Sequence, residues 1–344
     1  MEKREGPGGA TLHQRLAAFV DWIATESARE DDIRKQVSNI RDAISAKAAA
    51  DDLTIRSTPN SGSFATRTGL RRHMRGLSEV EGQDVDVPFV VSPKTQDGER
   101  LEVLLPRFET YARLAYPDTE REPSKSSVKL KFANNLHYDL VPLLATKDPE
   151  RQILPRSDGE RRETSVQKHA DFIKSRTDKS NAVAGRVKFN EVIRLLKWWR
   201  YFRETQAGAT LTNVPSFLVN LLAAYAFDAR GVRETYGETV ADWFGYLARI
   251  VRKRTATYFT DYQKAPSVAT GTIWALHDPV NSDNNIVSKW SGIMCDSLAE
   301  WLEDAHDTMC EAIAAFAADR ENDGIESLVK IFGTPIRHHS EPDL

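Results

Sequence analysis

The chain has 344 residues, 40% of them hydrophobic and 28% charged, enough apolar material for one large or two medium globular domains. Its 47 basic and 50 acidic side chains leave a formal charge of −3, which excludes a global attraction to nucleic acid or an anionic membrane; any polyanion must be held by a local site. Cys295 and Cys310 are too few for a disulfide framework or a zinc knuckle and read as reduced and structural, and with no signal-like N-terminus and no apolar run of about 18 residues the expectation is a cytoplasmic protein without membrane contact.

Residues 10–50 carry Leu16, Phe19, Ile23, Ile33, Val37, Ile40 and Ile44 at intervals suited to a helix, predicting one long amphipathic helix or two in succession. Between 84 and 145 the pattern turns to strands around one helix: "DVDVPFVV" is apolar and branched, "GERLEVLLPRFETYARLAY" is helical, and "SSVKLKFANNLHYDLVPLLA" alternates, turns at "ANN" and runs apolar. The polar stretch 146–185 reads as a connector in which no chemistry originates. Beyond 186 the chain is mostly helical. "RVKFNEVIRLLKWWRYFRE" is apolar around most of its circumference and predicts a central buried helix, followed by helices over "PSFLVNLLAAYAF", "ETVADWFGYLARIVRKRTA" and "SGIMCDSLAEWLEDAHDTMCEAIAAFAADR". An α/β half with a small mixed or antiparallel sheet and a helical half imply a cleft between them. The expected division is 1–185, 186–335 and a loose tail, 336–344.

Asp84 and Asp86 stand at the head of "DVDVPFVV", and strand residues two apart share a face, so the carboxylates project side by side. Two carboxylates held that close repel unless a cation lies between them, and hard divalent ions take oxygen ligands. Asp139 interrupts a second core-like strand and supplies a third carboxylate. Upstream, Gly62 and Ser63 form a turn whose N–H groups and hydroxyl suit a triphosphate. Any one of these features is commonplace; their order along one chain is the signal.

Six pieces, "SGSFATRTGL", "QDVDVPFVV", "LHYDLVPLL", "RLLKWWR", "PSFLVNLLAAYA" and "DPVNSDNNIVSKW", spread over residues 61–290, resemble the DNA polymerase β nucleotidyltransferase superfamily, and within it the bacterial cGAS/DncV-like nucleotidyltransferases. The resemblance implies a polymerase-β-like palm followed by an oligoadenylate-synthase-like helical domain. It implies that Asp84, Asp86 and Asp139 hold two Mg2+ ions, with Mn2+ able to substitute, and that Asp139 also helps to deprotonate the attacking ribose hydroxyl. Gly62 and Ser63 would grip the β- and γ-phosphates of the donor nucleotide, with Lys197 and Ser216 reaching it from the helical half. As bare residues, Lys197 could instead snorkel to solvent and Ser216 serve only as a helix cap.

One departure is the distance from Ser63 to Asp84, 21 positions, longer than the family's usual spacing. The extra "RRHMRGLSEVEG" reads as an elongated helix end plus loop, with Arg71, Arg72 and Arg75 contacting a nucleotide or forming an exposed basic face. Other readings are plainer: Trp198 and Trp199 as core, "DPVNSDNN" as turn and cap chemistry, and His338 and His339 as a pair in the tail. Tyr258, Phe259 and Tyr262 are candidates for stacking a nucleobase.

The function implied by the resemblance is joining ATP, with GTP or another nucleoside triphosphate, into a cyclic di- or trinucleotide second messenger with release of pyrophosphate, in CBASS antiphage defence. The product, rather than direct contact, would activate an effector. A monomer suffices, there is room for a regulatory protein, and neither DNA nor RNA is obligatory, since the cysteines of a zinc-dependent DNA-sensing insertion are missing. The rivals are a transferase that modifies RNA or protein (tRNA-end, poly(A) or antitoxin-like) and an inactive nucleotide-binding module, against which the three carboxylates speak.

Overall fold

Leu12–Ile23 (α1) and Ser27–Ala50 (α2) divide the N-terminal amphipathic stretch into two helices with an extended break at Ala24 and Glu26. The computed structural model describes residues 10–341 except 76–77, 82–83, 93–100, 134–135, 157–158, 185, 207 and 213. The two helices serve different cores. Ile33, Val37, Ile40 and Ile44 of α2 pack with a sheet, whereas Leu16, Phe19, Val20 and Ile23 of α1 join the helical half.

The sheet takes strands Ile55–Ser57 (β1), Asp84–Val91 (β4), His137–Ala145 (β7), Val128–Lys131 (β6) and Glu120–Pro123 (β5) in the order β1-β4-β7-β6-β5. β4 and β7 are parallel while the other pairs are antiparallel, so the sheet is mixed. Period-two geometry settles which face each side chain takes. Val85, Val87, Phe89 and Val91 enter the core under α2 and Leu101–Ala115 (α4), leaving Asp84 and Asp86 on the opposite face. Tyr138, Leu140 and Leu144 do the same in β7 and leave Asp139 beside Asp86. Of the "ANN" turn expected between β6 and β7, residues 134–135 lie outside the described residues.

Two segments differ from expectation. Arg72–Arg75 (β2) and Ser78–Glu81 (β3) pair as antiparallel strands, not as a helix end and loop. The 146–185 stretch contains a second antiparallel pair, Gln152–Pro155 (β8) with Arg161–Thr164 (β9), which extends the sheet from β7, and then Val166–Ala184 (α5).

The helical half is built around Phe189–Thr205 (α6), in which every residue from Phe189 to Arg200 is buried, as its all-round apolar pattern predicts. Ser216–Arg230 (α7), Tyr236–Arg252 (α8), Gly292–Ala317 (α9) and Glu321–Phe332 (α10) enclose it, with Trp198 and Trp199 in the core. α1 and the Phe172–Ile173 turn of α5 belong to this core too, so the division expected after residue 185 does not follow the two cores. The expected loose tail forms Pro335–His339 (α11): Ile336 is fully buried, and the His339 ring stacks on Trp22 with centroids 4.0 Å apart. Residues 342–344 lie outside the described residues. Cys295 and Cys310 are free, and among the described residues no helix is long and apolar enough to cross a membrane.

Candidate active site

A cavity of about 520 Å³ opens where the sheet meets the helical half. All seven residues expected at the site line it: Gly62 and Ser63, Asp84, Asp86 and Asp139, and Lys197 and Ser216. The volume suits a small ligand.

The carboxylates come from adjacent parallel strands in direct register, Asp84 opposite His137 and Asp86 opposite Asp139. Asp86 has surface open to the cleft but is walled by protein elsewhere. Burial, then the charges of Asp139 and Asp84, push its carboxyl up to about 7. Solvent in the cleft screens part of this effect without changing its sign. Asp139 is also raised, chiefly by burial, although Lys129 and the Ser127 hydroxyl, which donates to Oδ1 at 2.9 Å, oppose the shift. The Lys129 ammonium lies 2.9 and 2.8 Å from the two Asp84 oxygens and 3.6 Å from Asp139. Sequence reading missed Ser127 and Lys129, although the alternation in "SVKLK" puts both on one face of β6.

Gly62 begins a short helix, Gly62–Thr66 (α3), at φ +63°, a left-handed conformation that glycine adopts without penalty. A Cβ there would stand 2.2 Å from Asp86 Oδ2, so the turn lies directly against the carboxylate. The segment after it ties the two halves together. The Thr66 hydroxyl bonds the Gly62 carbonyl at 3.1 Å and the Thr68 hydroxyl at 2.9 Å. Thr68 in turn accepts from Lys197 Nζ, at 2.9 Å on Oγ1 and 3.2 Å on its carbonyl. Asn190, Arg194 and Lys197 share one face of α6, and the first two donate to the Arg67 carbonyl. One helix face thus grips the peptide that carries the Gly-Ser turn.

Lys197 does not snorkel: it is 4% exposed, and burial, reinforced by Arg200, pushes its pKa down to about 7 while Asp86 opposes the shift. Two contacts to Thr68 leave one of its three N–H donors for a ligand. Ser216 is not a cap by its side chain; its hydroxyl accepts from Arg200 at 2.8 Å, which leaves its own hydrogen to point elsewhere. Lys197→Met, which keeps the stem and removes the charge, should weaken ATP binding about 10- to 100-fold, the scale of a hydrogen bond to a charged group, with melting temperature unchanged or higher. Calorimetric titration beside thermal melting checks this. A large loss of stability with ATP affinity intact would make Lys197 a packing residue.

The segment 146–185, expected to carry no chemistry, supplies one wall: Arg162 and Thr164 of β9 and His169 of α5 all line the cavity. His169 Nε2 lies 2.8 Å from Asp278 Oδ1, and its ring stands edge-on to Phe217. Burial alone would raise Asp278, but hydrogen bonds from His169, the Val280 N–H and Asn284 hold it below the usual carboxylate range. The turn reading of "DPVNSDNN" therefore holds and gains a cavity-facing aspartate. The aromatic candidates fare differently. Phe259 is core, packed on Phe172, Tyr258 is 45% exposed, and neither they nor Tyr262 line the cavity. Phe217 and Tyr201 do. Arg71 is committed elsewhere: it lies over the Trp22 ring and pairs with Glu26. The side chains of Arg72 and Arg75 lie outside the described residues.

The oxygen donors suit a hard divalent cation, and Asp86 is raised first by burial and then by the neighbouring charges of Asp139 and Asp84, which a bound cation would offset. Among the described residues no three His, Cys, Asp or Glu side chains are already gathered around one metal position; Asp84 is turned to Lys129 instead.

A family model, the Second Messenger Oligonucleotide or Dinucleotide Synthetase domain, matches residues 11–176. The chain is similar to a cyclic AMP-AMP-AMP synthase from Escherichia coli (strain MS 115-1), with 26% identity over 331 residues that cover 94% of this chain and 97% of that protein. Two solved structures of E. coli MS115-1 CdnC are also similar, each with 26% identity and 94% of this chain covered. The form with ATP has a TM-score of 0.74 over 98% of its chain, and the CdnC:HORMA-deltaN complex 0.73 over 97%.

Proposed function

We propose that this chain, which belongs to the bacterial cGAS/DncV-like nucleotidyltransferases, takes ATP as its substrate and closes three adenylates into a cyclic trinucleotide. It is a nucleotidyltransferase that makes cyclic oligonucleotides from nucleoside triphosphates, and by its family it acts in CBASS antiphage defence. The observation that carries the finer reading is the end-to-end similarity to a cyclic AMP-AMP-AMP synthase, joined to three carboxylates on two adjacent strands, Asp86 and Asp139 in direct register.

Each transfer forms one bond and breaks one. A ribose hydroxyl oxygen attacks the α-phosphorus of a bound triphosphate, the bond to pyrophosphate breaks, and the hydroxyl proton passes to Asp139. Ser127 donates to Oδ1 of that carboxylate and so fixes its orientation. Gly62 and Ser63 bind the β- and γ-phosphates of the donor, and Lys197 and the Arg200-oriented Ser216 hydroxyl reach them from the other wall. Asp84, Asp86 and Asp139 would hold two Mg2+ ions, which when bound neutralise phosphate charge and align the attacking and leaving oxygens. Two further transfers extend the chain and close the ring.

The ATP-bound CdnC structure supports ATP as substrate, and the HORMA complex supports a regulatory protein as a further partner. A cytoplasmic setting fits the use of ATP. Transfer to RNA or protein is not favoured, because the similar synthase makes a small cyclic product and a formal charge of −3 gives no global bias toward nucleic acid. The test is incubation with all four ribonucleoside triphosphates and Mg2+, then phosphatase treatment and mass spectrometry. The expected survivor is a cyclic trinucleotide of adenylate alone. A resistant ring containing another base would overturn the ATP-only reading, and label transferred from ATP to RNA or protein with no ring formed would overturn the synthase reading.

A further inference from the structure

We infer that Lys129 is the built-in counter-cation of the three carboxylates, and that a divalent metal must displace its ammonium to bind. The inference rests on the reading above that Asp84, Asp86 and Asp139 are the metal ligands.

Three adjacent strands create the arrangement. β4 and β7 run parallel with Asp86 opposite Asp139, and β6 runs antiparallel to β7 with Lys129 opposite Asp139. The ammonium therefore projects across the strand that carries Asp139 toward the one that carries Asp84. It reaches both Asp84 oxygens, at 2.8 and 2.9 Å, and lies 3.6 Å from Asp139 Oδ2. Those oxygens are the ones a hard cation would need, and an ammonium and a metal ion cannot both hold them.

The neighbours on β6 make Lys129 specific to this task. Two residues earlier on the same face, Ser127 donates to Asp139 Oδ1. Two residues later, Lys131 is held by Glu120 and Glu122 of β5, and so is drawn away from the aspartates. Lysine is a compact charge on a flexible four-carbon stem, and at 24% side-chain exposure Lys129 can swing outward when a stronger cation arrives. Its consequences are opposite for the two states. Lys129 relieves carboxylate crowding in the metal-free fold and raises the metal concentration needed for occupancy.

The test uses the full chain without nucleotide. Mg2+ or Mn2+ is titrated against the unsubstituted protein, Lys129→Met, Lys129→Gln and the charge-retaining Lys129→Arg, with heat of binding and melting temperature as readouts and the Asp84→Ala/Asp86→Ala double variant as the control for site occupancy. Taking a partly exposed ion pair at up to about 1 kcal/mol, removing the charge should lower the half-saturating metal concentration about fivefold. The metal-free melting temperature of the Met and Gln variants should fall slightly and their metal-induced rise should grow, while Lys129→Arg stays near the parent. Unchanged or weaker metal binding in the Met and Gln variants overturns the role of Lys129 and leaves the metal site standing. If the parent shows no metal response that the double aspartate variant removes, the metal site and the role of Lys129 both fall. A measurement on the unsubstituted protein guards against variants that do not fold: the resonance of the Lys129 ammonium terminus in lysine-labelled protein should shift on metal addition, and no shift at metal saturation overturns the displacement.

Discussion

Asp84→Ala/Asp86→Ala should lower turnover by at least about a thousandfold, given the several kcal/mol that metal-assisted charge stabilisation contributes to phosphoryl transfer, while the metal-free protein should melt at the parent's temperature or above it. The stability half of this prediction follows from the pKa shift. Asp86 rises from 3.8 to about 7 on folding, so between those values the folded state binds more protons than the unfolded one, and stability falls as pH rises through that window. The contribution is fully present below about pH 4 and lost above about pH 7. The double variant lacks this loss, so its melting temperature gains on the parent between pH 4 and pH 7. What it gives up is the Asp84–Lys129 pair, a partly exposed bridge of about 1 kcal/mol or less. Melting curves at pH 5 and pH 8, beside the product assay at pH 8, check both halves. A variant much less stable than the parent at pH 8 would mean that the carboxylates are structural, and retained turnover would remove them from the chemistry.

Much of the site could be read from strand alternation. Asp84 and Asp86 stand out of phase with Val85, Val87 and Phe89, and that phase difference alone assigns them to the face away from the core. Lys197 was legible for a similar reason: the one cation within the apolar run "LLKWW" must find partners or pay desolvation. Harder to see was Lys129, which has an ordinary place in its strand and acquires meaning only from the register of β6 on β7. His169 and Asp278 are 109 residues apart, in segments whose polar composition resembles any surface loop, and no local pattern joins them. The C-terminal helix was hidden likewise, because the partner of His339 is Trp22, near the other end of the chain. Local periodicity thus reports which face a side chain takes. Which side chains meet across the cleft depends on how two separate cores are set against each other, and that information is spread over the Asn190, Arg194 and Lys197 face and the peptide it grips.

Gly62→Ala should be severely damaging to turnover. Two independent costs coincide at this position. Alanine in the left-handed region costs about 1–2 kcal/mol, and the new methyl would stand 2.2 Å from Asp86 Oδ2, so either the turn or the carboxylate must move. If the turn moves, the N–H groups proposed to bind phosphate shift; because Thr66 and Thr68 link the turn to Lys197, the disturbance passes to the opposite wall. If the carboxylate moves, the proposed metal ligand set loses its alignment. Displacements near 1 Å cost on the order of a hundredfold in rate, so kcat should fall at least that far on either route, with a melting temperature lower by only a few degrees. Ser63→Ala separates the two contributions, since it removes a hydroxyl from the same turn without touching Asp86 and should raise KM for ATP more than it lowers kcat. Parent-like kcat in Gly62→Ala would mean that the turn does not abut Asp86 during turnover, and would place the triphosphate elsewhere in the cleft.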